Sequence, residues 1–429
     1  MANPSTPLPI RIYRMVGTVF RPFSRPYLQR RVNRGKEDET RLGERSGISN
    51  IPRPDGPLIW IHAASVGETI AVLPLAARLL QDSPSKHILL TTGTVTSAAM
   101  VEQRAVPNLI HQYAPIDIAA CVRAFLAHWK PDLALYVESE LWPIMLETLD
   151  EENIPVVMVN GRMSDRSFRR WKSAPKTIRH LLGRFNLYIA QSEKDGARLR
   201  ALGASDITVS GNLKFDAPPP PVNLVALSDF NSRVGSRPLW IAVSTHPGEE
   251  DMVADAHEIA RRNLPNLLTV IVPRHPERGD DITKNLKRRD FRIAQRSLNE
   301  PLEDDIDIYL ADTLGELGLF CTAGHAVFMG GSLVSHGGQN PIEPIKLGAA
   351  VIHGPHVHNF EVIYAALDRA AAAIVVKDSL ELADAIRQLL TKPASRHRIA
   401  RQSLEIITRL TGALEFTLKA LRPFYPGKG

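Results

Sequence analysis

The chain has 429 residues, 44% of them hydrophobic and 23% charged, with a net charge of +6 and two cysteines. The length exceeds one ordinary core and suggests two or three domains, while the composition excludes a disordered or multispan membrane protein. Cys121 and Cys321 provide no disulfide framework, there is no CxxC, and no secretory h-region with a cleavage site is present, so a reducing compartment is expected.

The charge is unevenly placed. Residues 1–50 hold ten Arg and Lys against four acids, which leaves 42 of each over residues 51–429. A neutral body with a basic head argues against nucleic acid and for an anionic lipid surface. In PLPIRIYRMVGTVFRPFSRPYLQRRV the arginines alternate with Ile10, Ile12, Tyr13, Met15, Val16, Val19, Phe20 and Phe23. Arg11 and Arg14 interrupt any spanning run, so the segment is expected to lie in the membrane interface, or to dock on its own protein as an ordinary helix. Residues 1–50 are therefore read as a membrane-associating segment.

From Pro57 onward, short apolar runs alternate with helical patterns. LIWIHA precedes a helix over Ile70–Leu80, then HILLTTG follows. Asp117 is expected to cap a helix whose apolar face carries Cys121, Val122, Phe125 and Trp129. LALYVE, PVVMVN and LYIAQS read as further buried strands. Such alternation implies βαβ units and a parallel sheet, giving a domain over 51–222. The proline-rich stretch DAPPPPVNLVALSDFNSRVGSRP shows little periodicity, and 223–238 reads as a linker. The alternation resumes with PLWIAVS, LLTVIVPR, DIYLAD, HAVFMGG and AAVIHG, ending in helices over Ser379–Leu390 and Ser395–Leu421. The second domain is taken as 239–429. Two doubly wound α/β domains would bind ligands beyond the carboxyl ends of their strands, with a shared central cleft expected between them.

Neither GxGxxG nor GxxxxGK[ST] occurs, which weakens hydride transfer and NTP hydrolysis as readings. Two similar stretches, PLIWIHAASVGET and PLWIAVSTHPGEE, each run from a strand into Gly-Glu. In the first, Ser65 and Glu68 could simply cap a helix. YVESELWP adds Glu138 and Glu140 after a strand, and GNLKFD adds Lys214. A carboxylate in a partly dry site near a cation can act as a general base toward a hydroxyl. In the second half, Arg274 in VPRHPERGD and Gly315–Glu316 in ADTLGELG fall at a strand end and a helix start, where an anion would bind. MGGSLVSHGGQNPIEP has glycines for close backbone approach, and Asn340–Pro341 open a helix whose free N–H groups can hold phosphate. Its Glu343 could accept from a ribose diol. The three histidines of HGPHVHN have no spaced fourth ligand, and EDDID reads as a solvated turn, so no metal is expected.

HAASVGE, VESELWP, AQSEKDGARLRALGA, GNLKFD, STHPGEE, PRHPER, DTLGELG and GGSLVSHGGQNPIEP resemble, in order, the motifs of the 3-deoxy-D-manno-octulosonic acid (Kdo) transferases of lipopolysaccharide assembly, and RLGERSG resembles the segment after their anchor. The resemblance runs from about Arg41 to Pro355. It implies a GT-B fold of two Rossmann-like domains and inverting transfer of Kdo from CMP-Kdo to a lipid A precursor (lipid IVA). It also implies no metal or other cofactor and a place on the cytoplasmic face of the inner membrane of a Gram-negative cell. By the resemblance, Glu68 is the catalytic base, and Glu138 and Lys214 stabilise the transition state. Pro273, Arg274, Gly315, Glu316, Leu317, Asn340, Pro341, Ile342 and Glu343 then contact CMP. The chain departs from the pattern at Ser139, where Thr is common, at Ile144, where Asn is common, and at Gln339, where His is frequent. A different GT-B enzyme using a UDP-sugar, or a nucleotide-sugar epimerase, is the alternative.

Overall fold

The run LIWIHA forms strand β1 (Leu58–Ala63), and every residue in it is buried. Such a run, apolar except for His62, belongs to a parallel strand covered on both faces. The computed structural model describes residues 6–83, 85–104, 106–216 and 218–425. It divides into two compact units, one of 1–217 with 410–429 and one of 218–409.

In the first unit β1 is followed by β2 (His87–Thr92), β3 (Leu109–Tyr113), β4 (Leu133–Val137), β5 (Val156–Gly161), β6 (Leu187–Ala190) and β7 (Ile207–Val209). Among the described residues these make one parallel sheet in the order β3-β2-β1-β4-β5-β6-β7. The carboxyl ends of β1, β4 and β5 are therefore neighbours on one edge. One face of the sheet buries Trp60, Phe125, Trp129, Tyr136 and Tyr188, and the other buries Ile61, Leu75, Leu90 and Val137. The buried indoles are satisfied: Trp60 Nε1 donates to Thr91 Oγ1 at 2.9 Å and Trp129 Nε1 to Gln112 Oε1 at 2.7 Å.

Among the helices that frame the sheet of this unit are α1 (Leu8–Val32), α2 (Val66–Gln81), α3 (Ala119–Trp129), α4 (Pro143–Glu151), α5 (Asp165–Lys172) and α6 (Pro175–Leu182). α2 begins four residues before the expected Ile70, because Ser65 caps it by accepting the Glu68 N–H. Glu68 therefore lies in a helix's first turn, not in a Gly turn. Asp117 does not cap its own helix. It is buried, and its carboxylate accepts from the N–H groups of Ile144 (3.1 Å) and Met145 (2.8 Å), capping α4, whose own N-cap residue is Trp142. α1 docks by burying Ile10 and Leu28, with Arg14 donating to Glu147 at 2.5 Å and His180 of α6 lying 3.1 Å from the same carboxylate. Its other face stays open: Leu8, Ile12, Met15, Val16, Val19 and Phe23 are exposed. Among the described residues no helix is long and apolar enough to cross a membrane.

The second unit contains β8 (Leu239–Thr245), β9 (Leu268–Pro273), β10 (Ile293–Gln295), β11 (Ile308–Leu310), β12 (Ala326–Met329), β13 (Ala350–His353) and β14 (Ile374–Val375). They form a second parallel sheet, β10-β11-β9-β8-β12-β13-β14. The expected linker 223–238 is instead largely α7 (Leu224–Val234), capped by Asn223, whose side chain accepts from the N–H groups of Val225 and Ala226. Phe230 and Val234, four residues apart, are buried, and Phe230 meets Phe320 edge-on at 5.4 Å. The exposure of Leu224 and Val225 hides that stripe in the sequence. Further on come α8 (Glu249–Ala260), α9 (Leu317–Ala323), α10 (Ile342–Lys346) and α11 (Pro393–Leu410).

The helix expected over Ser395–Leu421 is broken at Gly412, whose φ of 109° is accessible chiefly to glycine. The chain then starts α12 (Ala413–Leu421), which belongs to the first unit and not to the second. Ala413, Leu418 and Leu421 join the core beside α2, while Asp216 accepts the N–H groups of Gly412 and Leu414, both at 2.7 Å.

Candidate active site

Three acidic side chains and a lysine gather at the carboxyl edge of the first sheet. Glu68 is buried in the first turn of α2, and its carboxylate accepts from the Ala64 N–H and the Ser65 hydroxyl, both at 2.8 Å. A carboxylate has about four acceptor positions, so two bonds leave Glu68 with capacity for a ligand. Burial pushes its pKa from 4.5 up to about 7, the two hydrogen bonds act against that rise, and the charges of Glu140 and Glu138 add to it. A base poised near neutrality suits removal of a hydroxyl proton.

Glu138 follows β4 directly and has φ of 57°, an uncommon conformation for a residue with a side chain. Its N–H is held by the Val159 carbonyl at 3.0 Å, and its carboxylate receives Lys214 Nζ at 3.2 Å. Lys214 sits on a short 3-10 turn, Leu213–Phe215, fixed from two sides. Asn212 Oδ1 accepts the Lys214 N–H, and Asn160 Oδ1 accepts the Leu213 N–H, both at 3.0 Å. The ammonium lies 3.7 Å from where a side chain on Gly67 would begin, so a glycine there keeps the start of α2 open to it. The structure thus brings Glu68, Glu138 and Lys214 to one place. It adds Glu140, which accepts from Trp142 Nε1 at 2.7 Å and whose pKa is raised by burial, with Glu138 contributing. Ser65 was legible only as a cap; its second task, donating to Glu68, needs coordinates to be seen.

The second Gly-Glu turn differs in kind. Glu249 is fully buried and accepts four backbone N–H groups: His246 at 3.0 Å, Gly331 at 2.6 Å, and Ser332 and Leu333 at 3.0 Å each. No acceptor position remains, so Glu249 ties the loop after β12 to the start of α8. Glu250 beside it takes both arms of Arg278, at 2.8 and 3.1 Å.

The residues expected to contact a nucleotide lie at or beyond the carboxyl ends of β9, β11 and β12; β9 and β12 flank β8, and β11 lies on the far side of β9. Pro273 ends β9, and Arg274 follows with its N–H on the Thr245 carbonyl at 3.0 Å. The Arg274 guanidinium is exposed and has no ion pair among the described residues. Gly315 has φ of 81°. Glu316, at the start of α9, is clamped by Arg296 and Thr313, and the Arg296 guanidinium holds its pKa below the usual value. Leu317 opens α9. Asn340 accepts the Ile342 N–H at 3.2 Å and donates to Glu343 at 3.3 Å, while Pro341 and Ile342 are buried. Gln339 donates to His246 Nε2 at 2.8 Å, and the His246 ring stacks on His336 at 3.7 Å. Burial, helped by His336, His275, Arg274 and Arg278, lowers the His246 pKa to about 4, so the ring is neutral near pH 7. Of the three histidines in HGPHVHN, His353 is occupied by the Gly354 carbonyl (2.8 Å) and Asp368 (2.9 Å).

Two doubly wound parallel sheets, each presenting polar loops at its carboxyl edge, define the GT-B class. The UDP-GlcNAc 2-epimerase of Neisseria meningitidis superimposes with a TM-score of 0.58 over 85% of this chain and 99% of its own, at 14% identity, a likeness of fold alone. Sequence comparison narrows the class. A family model described as 3-deoxy-D-manno-octulosonic-acid transferase matches residues 40–217. The 3-deoxy-D-manno-octulosonic acid transferase of Haemophilus influenzae is 35% identical over 90% of this chain and 91% of its own length. The namesake from Rickettsia bellii is 33% identical over 91% and 94%. The chain belongs to the Kdo transferase family and is a glycosyltransferase.

Proposed function

We propose that the protein transfers Kdo from CMP-Kdo to a hydroxyl of a lipid A precursor, lipid IVA, in lipopolysaccharide core assembly, with inversion at the anomeric carbon. The observation that carries this reading is Glu68, a buried carboxylate with open acceptor positions and a pKa near 7. Glu68 takes the proton from the acceptor hydroxyl as its oxygen bonds to the anomeric carbon of Kdo. The bond from that carbon to the phosphate oxygen breaks, and CMP departs with the electron pair. Direct displacement with one base on the face opposite the leaving group inverts the centre.

Lys214, held by Glu138, supplies a fixed positive charge to the transition state, the preorganised electrostatic role that needs no reorganisation during reaction. Pro273–Arg274, Gly315–Leu317 and Asn340–Glu343 receive CMP, with Arg274 facing the charge that builds on the departing phosphate. No metal or other cofactor takes part. The apolar face and arginines of α1 hold the enzyme on the anionic cytoplasmic face of the inner membrane, lying in the interface without spanning it.

The test is mass spectrometry of products from lipid IVA with CMP-Kdo, in chelator, beside parallel reactions with UDP-sugars. Expected is a mass increase of whole Kdo residues at a rate the chelator does not change. Turnover of a UDP-sugar with none of CMP-Kdo rejects the reading.

A further inference from the structure

Residues 162–176 carry six cations, Arg162, Arg166, Arg169, Arg170, Lys172 and Lys176, against one acid. That acid, Asp165, is already taken by Arg198 and Lys194. All six cations are exposed, and none has an ion pair among the described residues. The Lys172 ammonium lies over the Phe168 ring, 5.4 Å from the centroid. Some arginines elsewhere on this unit are matched, Arg14 with Glu147, Arg31 and Arg45 with Glu37, Arg41 with Glu44 and Arg184 with Asp150, whereas Arg11, Arg21, Arg25 and Arg30 on α1 also have no ion pair among the described residues. An unmatched set of six in fifteen residues raises local self-repulsion that a bound anion would relieve.

The fold fixes the helix that carries four of the set, Arg166, Arg169, Arg170 and Lys172. Ser164 caps α5 by accepting the Ser167 N–H, and Phe168 and Trp171, three residues apart, turn inward against the core. Their inward stripe leaves the arginines on the outer side of the helix. The position is also specific. β5 neighbours β4, which ends at Glu138, and Asn160 near the end of β5 holds the turn that carries Lys214. Arg162 follows two residues later. The cationic ridge therefore rises from the same sheet edge as Glu68. On its far side α6 reaches Glu147, the carboxylate that also docks α1.

We propose that this ridge binds phosphate monoesters on the headgroup of the acceptor glycolipid, an inference that rests on the acceptor reading above. Four of the six cations are arginines, whose planar forks match phosphate oxygens two at a time. A headgroup phosphate on the ridge would place the sugar hydroxyls toward Glu68, while the acyl chains run toward the apolar face of α1. The ridge sets which acceptor is used and leaves the donor untouched.

The experiment measures calorimetric binding of a deacylated, bisphosphorylated glucosamine disaccharide and its dephosphorylated form to the full chain and to Arg169→Glu/Arg170→Glu and Arg166→Gln variants. Circular dichroism and thermal unfolding check the fold, which exposed positions should leave intact. Expected is binding of the phosphorylated sugar that weakens at least tenfold in the double variant and severalfold in Arg166→Gln. The wild type should lose a similar factor on the dephosphorylated sugar, where the variants lose nothing more, and the acceptor KM should rise while the CMP-Kdo KM stays put. Failure of the wild type to bind the phosphorylated headgroup, or equal binding by folded variants, overturns the inference. So does a loss confined to cosedimentation with phosphatidylglycerol vesicles, which would make the ridge a bilayer contact. The binding readout is independent of turnover, so absence of Kdo transfer would reject the proposed function separately.

Discussion

Glu68→Gln separates a strained catalytic carboxylate from a helix cap. The fold raises the Glu68 pKa from 4.5 to about 7, so it favours the protonated form. Each pH unit is worth about 1.4 kcal/mol, which makes the ionised carboxylate a burden of about 3 kcal/mol at most, and about 2 kcal/mol once its partial solvent contact is allowed for. The burden is absent below pH 4.5, where both folded and unfolded chains are protonated, and is fully present above pH 7. Glutamine keeps the shape, can still accept the Ala64 N–H, and carries no charge. Urea unfolding at pH 8 should therefore show the variant more stable than the wild type by about 2 kcal/mol, with the two converging near pH 4. Kdo transfer should fall by about 10²–10⁴, the scale of a removed general base, and the wild-type kcat/KM should rise with pH to a plateau above about 7. A cap alone predicts the opposite sign, a loss of about 0.5–2 kcal/mol with activity retained. Lower stability at pH 8, or unimpaired turnover, refutes the assignment.

Glu249→Gln should instead destabilise the second unit by about 3 kcal/mol or more, read by denaturant unfolding, because an amide nitrogen would face backbone N–H groups that now have an acceptor. Lys214→Met should cut kcat about a hundredfold while shifting stability by less than about 1 kcal/mol, since its partly exposed pair with Glu138 is a weak contributor to folding. Val19→Asp with Phe23→Asp should lower cosedimentation with phosphatidylglycerol vesicles at least tenfold and leave the melting temperature unchanged, both side chains being exposed.

Long buried strands were the readable part of this chain. Runs such as LIWIHA and PVVMVN need no partner to declare themselves, because a strand covered on both faces is apolar along most of its length. Short strands such as Ile207–Val209 and Ile293–Gln295 offer too few residues for a pattern. Asp117 shows a different limit. Its spacing suits a cap on the next helix in sequence, yet it caps the one after, and only tertiary approach decides that. The helix over Leu224–Val234 was hidden by prolines before it and by apolar residues on its outer side. At the site, motif identity brought Glu68, Glu138 and Lys214 forward together. The division of labour between Glu68 and Glu249 was only partly visible: both follow Gly after a strand, but one accepts two hydrogen bonds and the other four. The ridge around α5 left a plain mark in the sequence, a run of unmatched arginines, whose meaning depends on the strand it succeeds.

The return of α12 to the first unit has a consequence for biogenesis. The first unit's core lacks Ala413, Leu418 and Leu421 until residues 413–421 have left the ribosome. At about 5–20 residues per second, the stretch from 218 onward takes about ten to forty seconds to synthesise. Throughout that interval the nascent first unit waits with one flank of α2 uncovered, whereas the second unit is contiguous in sequence and is complete as soon as residue 409 has emerged. A stop codon just after Leu410 would spare the second unit and injure the first, so residues 413–421 govern the fate of the unit that was made before them.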